Sequence, residues 1–218
     1  MNTKKQHHLA GHEAVAARVK CVETDGFPAV SKWDKATPIR FNTDWQGKNA
    51  DAARETEVRL LWTPETLFVK FVCGYRELVT FPGADIDGYR YQLWDRDVAE
   101  LFVQADRFGS RYYKEFEVAP NAYWIDLDIF PEGHQRLHSG LRRRAWVDED
   151  AHVWSAELAL PLSTLAAEFD PAKNWRVNFF RCEGSDPNRW YSAWSATNTP
   201  QPNFHVPEAF GVLRFEDK

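Results

Sequence analysis

The segment Asp97–Val103 carries a glutamate where burial is expected to be costly. As a strand, it puts Glu100 on the same face as Val98 and Phe102, and its opposite face is also apolar. A carboxylate between two apolar faces needs either a cationic partner or a ligand. A salt bridge to an arginine such as Arg181 is the alternative that requires no binding function.

Trp94 lies just upstream of this strand, at the end of a long loop rich in Gly, Pro and Asp. Loops of this length in a compact domain often carry function. The face of an indole stacks on the C–H face of a sugar ring, and a nearby carboxylate accepts hydrogen bonds from vicinal hydroxyls. Trp94 and Glu100 therefore predict a saccharide site.

A second aromatic cluster lies near the C-terminus. Trp190 and Trp194 share one face of a predicted strand with Ser192, and Asn203 and Phe204 follow in a proline-rich loop. We include all four non-serine residues in the predicted saccharide site. Filling the core of a sandwich is the alternative role for each tryptophan. Phe204 is the better ligand candidate because it lies in a loop.

Two pairs of acidic residues leave a catalytic alternative open. Glu115 and Glu117 share a strand face, as do Asp126 and Asp128. Neighbours on one strand face are about 7 Å apart, within the roughly 5–10 Å that glycoside hydrolysis uses. The sequence contains no G-x-S-x-G or HExxH motif. We therefore favour binding without catalysis over a hydrolase-type enzyme. A structural or interaction domain that has lost sugar binding is a third alternative.

Acidic loop residues suggest a metal site. Asp85 and Asp87 offer oxygen ligands of the kind that Ca²⁺ prefers, although solvated turn acids are the simpler interpretation. The three cysteines, Cys21, Cys73 and Cys182, are widely spaced and predict neither a disulfide framework nor a zinc site.

The elements that must position these residues are short strands. Apolar runs alternate with turn residues along the chain, and Thr63-Pro64-Glu65-Thr66 predicts a hairpin turn. The pattern predicts an all-β fold: a single antiparallel, jelly-roll-like β-sandwich with at most one or two short helices, one of them at 162–169. We expect a frayed segment at 1–14 and one domain at 15–218.

Composition excludes several classes of protein. The 218 residues are 44% hydrophobic, include ten Trp and carry a net charge of −5. Scattered basic residues argue against nucleic-acid binding, and no apolar run is long enough to cross a membrane. Residues 1–11 contain no apolar core of a signal peptide. The chain as written is thus expected in the cytoplasm, or in the periplasm or outside the cell if a signal was removed.

Six motifs in order carry a resemblance to a known family. They are the segments 58–71, Trp94-Asp95-Arg96-Asp97-Val98-Ala99-Glu100-Leu101-Phe102, 114–121, 154–161, 175–181 and 204–211. In these motifs the chain resembles the family 9 carbohydrate-binding module and the wider group of family 9-like domains, whose fold is related to the DOMON group. The resemblance covers most of the chain, from about Trp33 to Phe215, and implies a β-sandwich.

The resemblance implies a recognition mode in which two aromatic rings enclose a terminal sugar while a carboxylate and an amide bind its hydroxyls. Trp94 is then the first ring, Glu100 the carboxylate and Asn203 the amide. Phe204 stands where a tryptophan is expected, and Glu117 where some members have a basic residue. The resemblance also implies structural Ca²⁺ and a role beside glycoside hydrolases. DOMON haem carriers commonly use Met and His ligands, but Met1 is the sole methionine, so no haem is expected.

Overall fold

The computed structural model describes residues 11–105 and 111–217, and these residues form mainly β-strands. The strands are β1 (Glu13–Arg18), β2 (Ile39–Phe41), β3 (Thr56–Trp62), β4 (Thr66–Gly74), β5 (Val98–Ala105), β6 (Tyr113–Val118), β7 (Trp124–Phe130), β8 (Gly133–Arg136), β9 (Arg142–Asp148), β10 (Val153–Pro161), β11 (Trp175–Glu183), β12 (Trp190–Ala193) and β13 (Gly211–Glu216). One short helix, α1, spans Leu162–Leu165. Short 3-10 helices occupy Val30–Lys35, Ala52–Arg54, Leu93–Asp95 and Pro207–Ala209.

The strands form one curled sheet in the order β8-β7-β6-β5-β11-β13-β1-β3-β4-β10-β9, with β12 beside β11 and β2 beside β3. Its two halves pack face to face, as the edge-on contact of Phe71 in β4 with Phe179 in β11 shows, with ring centres 6.4 Å apart. The predicted all-β sandwich is confirmed. The sheet is mixed, however, rather than purely antiparallel, because β1 pairs in parallel with both β13 and β3.

The N-terminal strand begins earlier than the sequence predicts. β1 starts at Glu13, and Ala14, expected in the frayed segment, is buried and pairs with Leu213. Residues 1–10 of that segment lie outside the described residues. The predicted helix at 162–169 is a single turn. Within the described ranges, no helix is long and apolar enough to span a membrane.

The side chains of β5 and β11 alternate between two environments. Leu101 in β5 and its partner Phe179 in β11 point into the sandwich, and we call this side of the two strands the core face. Glu100 and Phe102 point the other way, and we call that side the cavity face. The 3-10 turn Leu93–Asp95 and the loop that leads to β13 contribute residues to the same cavity.

Candidate functional site

Three glutamates meet on the cavity face because of the strand register. Glu100 of β5 pairs with Glu117 of β6, and Phe102 pairs with Glu115. Directly opposed residues project from the same face of a sheet, so one glutamate of β5 and two of β6 share one side. We call Glu100, Glu115 and Glu117 the carboxylate triad.

The triad is buried and close-packed. The exposed fractions of Glu100, Glu115 and Glu117 are 2%, 2% and 0%. One carboxylate oxygen from each lies within 4.8 Å of the others. In the described part of the chain, no N–H, thiol or hydroxyl group donates to Oε2 of Glu115 or to the carboxylate oxygens of Glu117, and the contact of Glu117 is with the carboxyl group of Glu115. Unpartnered buried acceptors are uncommon in proteins, and water or a ligand with donor groups would satisfy these oxygens.

Electrostatics within the triad are unfavourable to charge. Burial raises the pKa of Glu100 well above its usual range, and the nearby charge of Glu115 raises it further. Burial also raises the pKa of Glu117, with added repulsion from Glu100 and Glu115. The thiol of Cys182 donates to Oε1 of Glu100 at 3.5 Å.

The triad forms part of the wall of a cavity of about 250 Å³. Its other lining residues are Trp94, Asp95, Phe102, Leu127, Ile129, His134, Cys182, Arg189, Tyr191, Pro202, Asn203, Phe204 and His205. Aromatic rings and apolar side chains thus surround a cluster of acceptors. This combination can hold a ligand with both hydroxyl groups and an apolar face.

Trp94 is half-buried at the cavity and belongs to an aromatic group. Tyr91 and His134 meet its ring edge-on, at 5.5 and 6.4 Å between ring centres. Arg189 holds the turn that carries Trp94, because its guanidinium donates to the backbone carbonyls of Trp94, Asp95 and Arg96. The position of Trp94 therefore depends on backbone contacts made by a residue at the start of β12.

The proline-rich loop contributes Asn203 and Phe204 to the cavity. Phe204 is 9% exposed, and one face of its ring stacks on Phe180, at 4.3 Å between centres and 15° between planes. Asn203 is exposed, and its Oδ1 accepts from the backbone N–H of His205 at 2.9 Å. This bond leaves the amide NH₂ of Asn203 as the donor for a ligand.

The structure brings together four of the six residues proposed for the saccharide site and places two elsewhere. Trp94, Glu100, Asn203 and Phe204 line the cavity. Trp190 and Trp194 do not, because Trp190 pairs with Glu183 of β11 on the core face and Trp194 lies on the same side. There the ring of Trp194 contacts Phe179, and that of Trp190 lies 5.1 Å from the guanidinium of Arg54.

Sequence reasoning missed Tyr191 as a lining residue. It stands between the two tryptophans that were selected, and strand alternation turns it into the cavity. The sequence also does not predict the register between β5 and β6. Sequence reasoning therefore grouped Glu115 with Glu117 as a pair of acids and did not group them with Glu100. Aligning the two strands so that Glu100 opposes Glu117 would have revealed the triad.

The salt bridge between Glu100 and Arg181, which the sequence offered as an alternative to a ligand, does not form. Arg181 lies on the core face, where its Nη2 is 3.8 Å from Asp97 and 3.9 Å from Glu183. The cavity face and the core face are separated by the sheet itself. Glu100 therefore has no salt bridge with Arg181.

Of the two predicted calcium ligands, Asp85 is exposed and Asp87 has partners among the described residues. Oδ1 of Asp87 accepts from the backbone N–H of Tyr89 at 3.0 Å, and its Oδ2 is 3.4 Å from Arg136. The backbone carbonyl of Asp87 accepts from Arg143. Guanidinium groups thus supply positive charge beside Asp87. Among the described residues, it is the carboxylate triad that brings three metal-ligand side chains together.

Comparison with known proteins gives the chain a family. The sequence profile of the carbohydrate family 9 binding domain-like family matches residues 25–218. An extracellular protein of Arthroderma benhamiae (strain ATCC MYA-4681 / CBS 112371) is 22% identical over 179 residues, which are 74% of this chain and 78% of that protein.

Two solved structures share the fold at low sequence identity. A proposed carbohydrate-binding protein from Bacteroides uniformis ATCC 8492 has a TM-score of 0.72 and 16% identity, over 94% of this chain and 100% of that one. A family 9 carbohydrate-binding module from Caldicellulosiruptor kristjanssonii, in complex with cellotriose, has a TM-score of 0.67 and 12% identity, over 95% of each chain. The match to the family profile spans nearly the whole sequence, and the chain belongs to the carbohydrate family 9 binding domain-like family.

Proposed function

We propose that this protein binds a small saccharide or the end of a glycan, without cleaving it, in the cavity of the carboxylate triad. The observation that carries the proposal is the set of unpartnered buried carboxylate oxygens beside the ring of Trp94. Sugar hydroxyls are donors that would satisfy these oxygens, and an aromatic ring accepts the apolar face of a sugar.

Cavity size and family membership support this proposal. A volume of about 250 Å³ is just below the ~300–1,000 Å³ typical of pockets for drug-sized ligands, which suits one or two sugar units. The Caldicellulosiruptor kristjanssonii module, which shares the fold, has been solved with cellotriose and with glucose. A saccharide is therefore the ligand class that we assign to this chain.

The recognition mode that we propose combines one open ring with several acceptors. Trp94 stacks on the sugar, Glu100 and Glu117 accept from its hydroxyls, and the NH₂ of Asn203 donates to a ring or hydroxyl oxygen. Phe204 adds an apolar contact with little exposed area. Tyr191 contacts Phe204 edge-on at 6.2 Å and widens this apolar surface.

Binding is favoured over hydrolysis by the electrostatics of the triad. An acid and a base in a glycosidase need environments that push their pKa values apart. The pKa values of Glu100 and Glu117 both move upward, for the same reasons of burial and mutual repulsion. Of the other predicted pair, Asp128 is bound by Lys114 at 2.6 Å and Asp126 accepts from the backbone of Ser139.

A glycan array followed by calorimetric titration tests the proposal. We expect saccharide binding by the wild type, and at least tenfold weaker binding by Trp94→Ala, equivalent to about 1.4 kcal/mol. Trp190→Phe is the matched control, since this ring lies on the core face, and its affinity should equal that of the wild type.

Two results would overturn the proposal. One is the absence of any saccharide binding at millimolar concentration, and the other is unchanged affinity in Trp94→Ala. Release of sugar from a polysaccharide panel, if abolished in Glu117→Gln, would favour the hydrolase-type alternative.

A further inference from the structure

Among the described residues, no lysine or arginine lies within ion-pair distance of the carboxylate triad. In the described part of the chain, its one ion-pair contact within 4.0 Å joins Nδ1 of His205 to Oε2 of Glu115, at 4.0 Å. That nitrogen is already within 2.5 Å of the hydroxyl of Tyr113. The guanidinium of Arg189 also lines the cavity, but its Nη atoms donate to backbone carbonyls. The three buried acids therefore share the cavity with the guanidinium of Arg189, but this group forms its hydrogen bonds with backbone carbonyls and not with the acids.

We propose that Glu100, Glu115 and Glu117 hold a divalent cation of the Ca²⁺ type, and that saccharide hydroxyls complete its coordination. This inference rests on the proposed saccharide function and names how the cavity recognises its ligand. The cation satisfies the buried carboxylate oxygens to which no donor group in residues 11–105 and 111–217 is bound.

The spacing of the carboxylates suits a single cation. Calcium binds oxygen at about 2.3–2.6 Å, so two oxygens on one ion lie no more than about 5.2 Å apart. One oxygen from each residue of the triad lies within 4.8 Å of the other two. A small adjustment of side chains is enough to bring all three into coordination.

The chemistry of the donors selects the kind of cation. The triad offers only carboxylate oxygens, which favour hard cations such as Ca²⁺ over zinc or copper. Calcium takes about six to eight oxygen ligands, so three monodentate carboxylates leave several positions open. Vicinal hydroxyls of a sugar can fill two of these positions, directly beside the ring of Trp94.

Charge balance favours a divalent cation over an organic ammonium group. The triad and the guanidinium of Arg189 sum to two negative charges, and the exposed Asp95 adds a third to the cavity wall. A divalent cation balances the two charges of the buried groups, whereas the ammonium group of an amino sugar balances only one. Buried charge left without a partner is strongly unfavourable.

Titration of the chelator-treated full chain with Ca²⁺ alone tests the cation site. We expect calorimetric binding by the wild type, a rise in melting temperature by mass action, and at least tenfold weaker binding by Glu117→Gln. Asp85→Asn is the matched control, because it removes an exposed acid from the loop that was the earlier metal candidate. Its Ca²⁺ affinity should equal that of the wild type.

Titration with the saccharide found on the array, in Ca²⁺ and then in chelator, tests the link to the sugar. We expect at least tenfold weaker saccharide binding in chelator. Binding of Ca²⁺ without any saccharide affinity would retain the cation site and overturn the saccharide function.

Three other results overturn the cation inference. The first is no Ca²⁺ binding, with equal saccharide affinity in both buffers, which leaves the saccharide function intact. The second is Ca²⁺ binding lost in Asp85→Asn but kept in Glu117→Gln. The third is tighter binding of glucosamine than of glucose in chelator, which assigns the triad to a cationic sugar.

Discussion

Two clusters of buried acids lie on opposite faces of the same sheet, and they are built differently. On the core face, Asp97 and Glu183 flank Arg181, and Glu183 also accepts from Nε of Arg54 at 3.0 Å. We call these four residues the core-face ion cluster. On the cavity face, the carboxylate triad is buried to the same degree but has no arginine within ion-pair distance in the described residues.

This difference in partners distinguishes acids that have a structural role from acids that we propose to bind a ligand. Each acid of the core-face ion cluster has an arginine within ion-pair distance, so these acids are explained by folding alone. Oδ1 of Asp97 accepts from the backbone N–H of Gly184 at 2.6 Å, although its Oδ2 and Oε2 of Glu183 have no hydrogen-bond partner in the described residues. The acids of the triad have no arginine within that distance among the described residues, and this difference favours a ligand there. Burial of an acid is thus uninformative until its partners are known.

Loss of Arg181 should give the largest effect. Arg181→Met removes the guanidinium that faces Asp97 and Glu183 and that lies 5.0 Å from the ring of Trp154. Breaking a buried ion cluster from one side leaves uncompensated charge and costs about 3–5 kcal/mol. Chemical denaturation should show this loss of unfolding free energy.

A variant that neutralises Arg181, Asp97 and Glu183 together is the control for Arg181→Met, and Arg54 keeps Asp51 as its partner at 3.5 Å in that variant. In Arg181→Met/Asp97→Asn/Glu183→Gln no charge is left unpaired among these three residues, so much of the lost stability should return. A triple variant less stable than the single one, or a single variant that loses under 1 kcal/mol, would remove the distinction between the two clusters.

A lower pH should stabilise the folded state through protonation of Asp97 in the core-face ion cluster. Burial raises the pKa of Asp97 from 3.8 to about 6, although Arg181 and the N–H of Gly184 act in the opposite direction. The folded state then holds its proton more tightly than the unfolded state, so stability falls as pH rises from about 4 through about 6. A shift of this size corresponds to at most about 3 kcal/mol.

Denaturation of the wild type and of Asp97→Asn between pH 4 and 7 measures this contribution. The asparagine keeps an oxygen for Gly184 but does not titrate, so the difference in stability between the two proteins should change across this range. The difference isolates Asp97 from Glu100 and Glu117, whose raised pKa values act in the same direction in both proteins. A difference independent of pH would contradict the assignment.

The sequence predicted the fold and four of the sixteen residues that line the candidate cavity. Alternation of apolar residues predicted the strands, and Trp94 and Glu100 could be selected because a charged residue interrupts an apolar strand. The partner of Glu100 could not be predicted, since the register between β5 and β6 depends on backbone pairing across the loop that joins them.

Strand β7 shows why the two faces were hard to assign. The sequence predicts one core face with Ile125 and Leu127 and one solvated face with Trp124 and Asp126. In the structure Leu127 lines the cavity, whereas Trp124 and Asp126 are buried. Hydrophobic alternation identifies the two sides of a strand but not what covers each side, and here both sides are covered. The same ambiguity led to Trp190 and Trp194 in place of Tyr191.

The change from Glu to Gln, made separately at Glu117 and at Glu157, compares two equally buried glutamates. We expect its effects on the free energy of unfolding to be the smallest of those predicted. Glu157 is 1% exposed, like the triad, but it is paired with Arg144 at 2.7 Å and Lys70 at 3.6 Å. In chelator at pH 7, Glu157→Gln should lose about 1–3 kcal/mol because it leaves these cations without a carboxylate. Glu117→Gln should instead gain on the order of 1 kcal/mol, the reverse of most substitutions, since it removes a repelled charge.

The sign of the two effects, measured by denaturation, decides whether the triad is a binding device. Equal losses in Glu117→Gln and Glu157→Gln would mean that Glu117 has a stabilising partner within the chain and needs no ligand. We expect opposite signs in chelator, and we expect Ca²⁺ to reverse the gain of Glu117→Gln because it stabilises the wild type. This outcome would mean that the triad destabilises the free protein and that a ligand from outside the chain compensates for it.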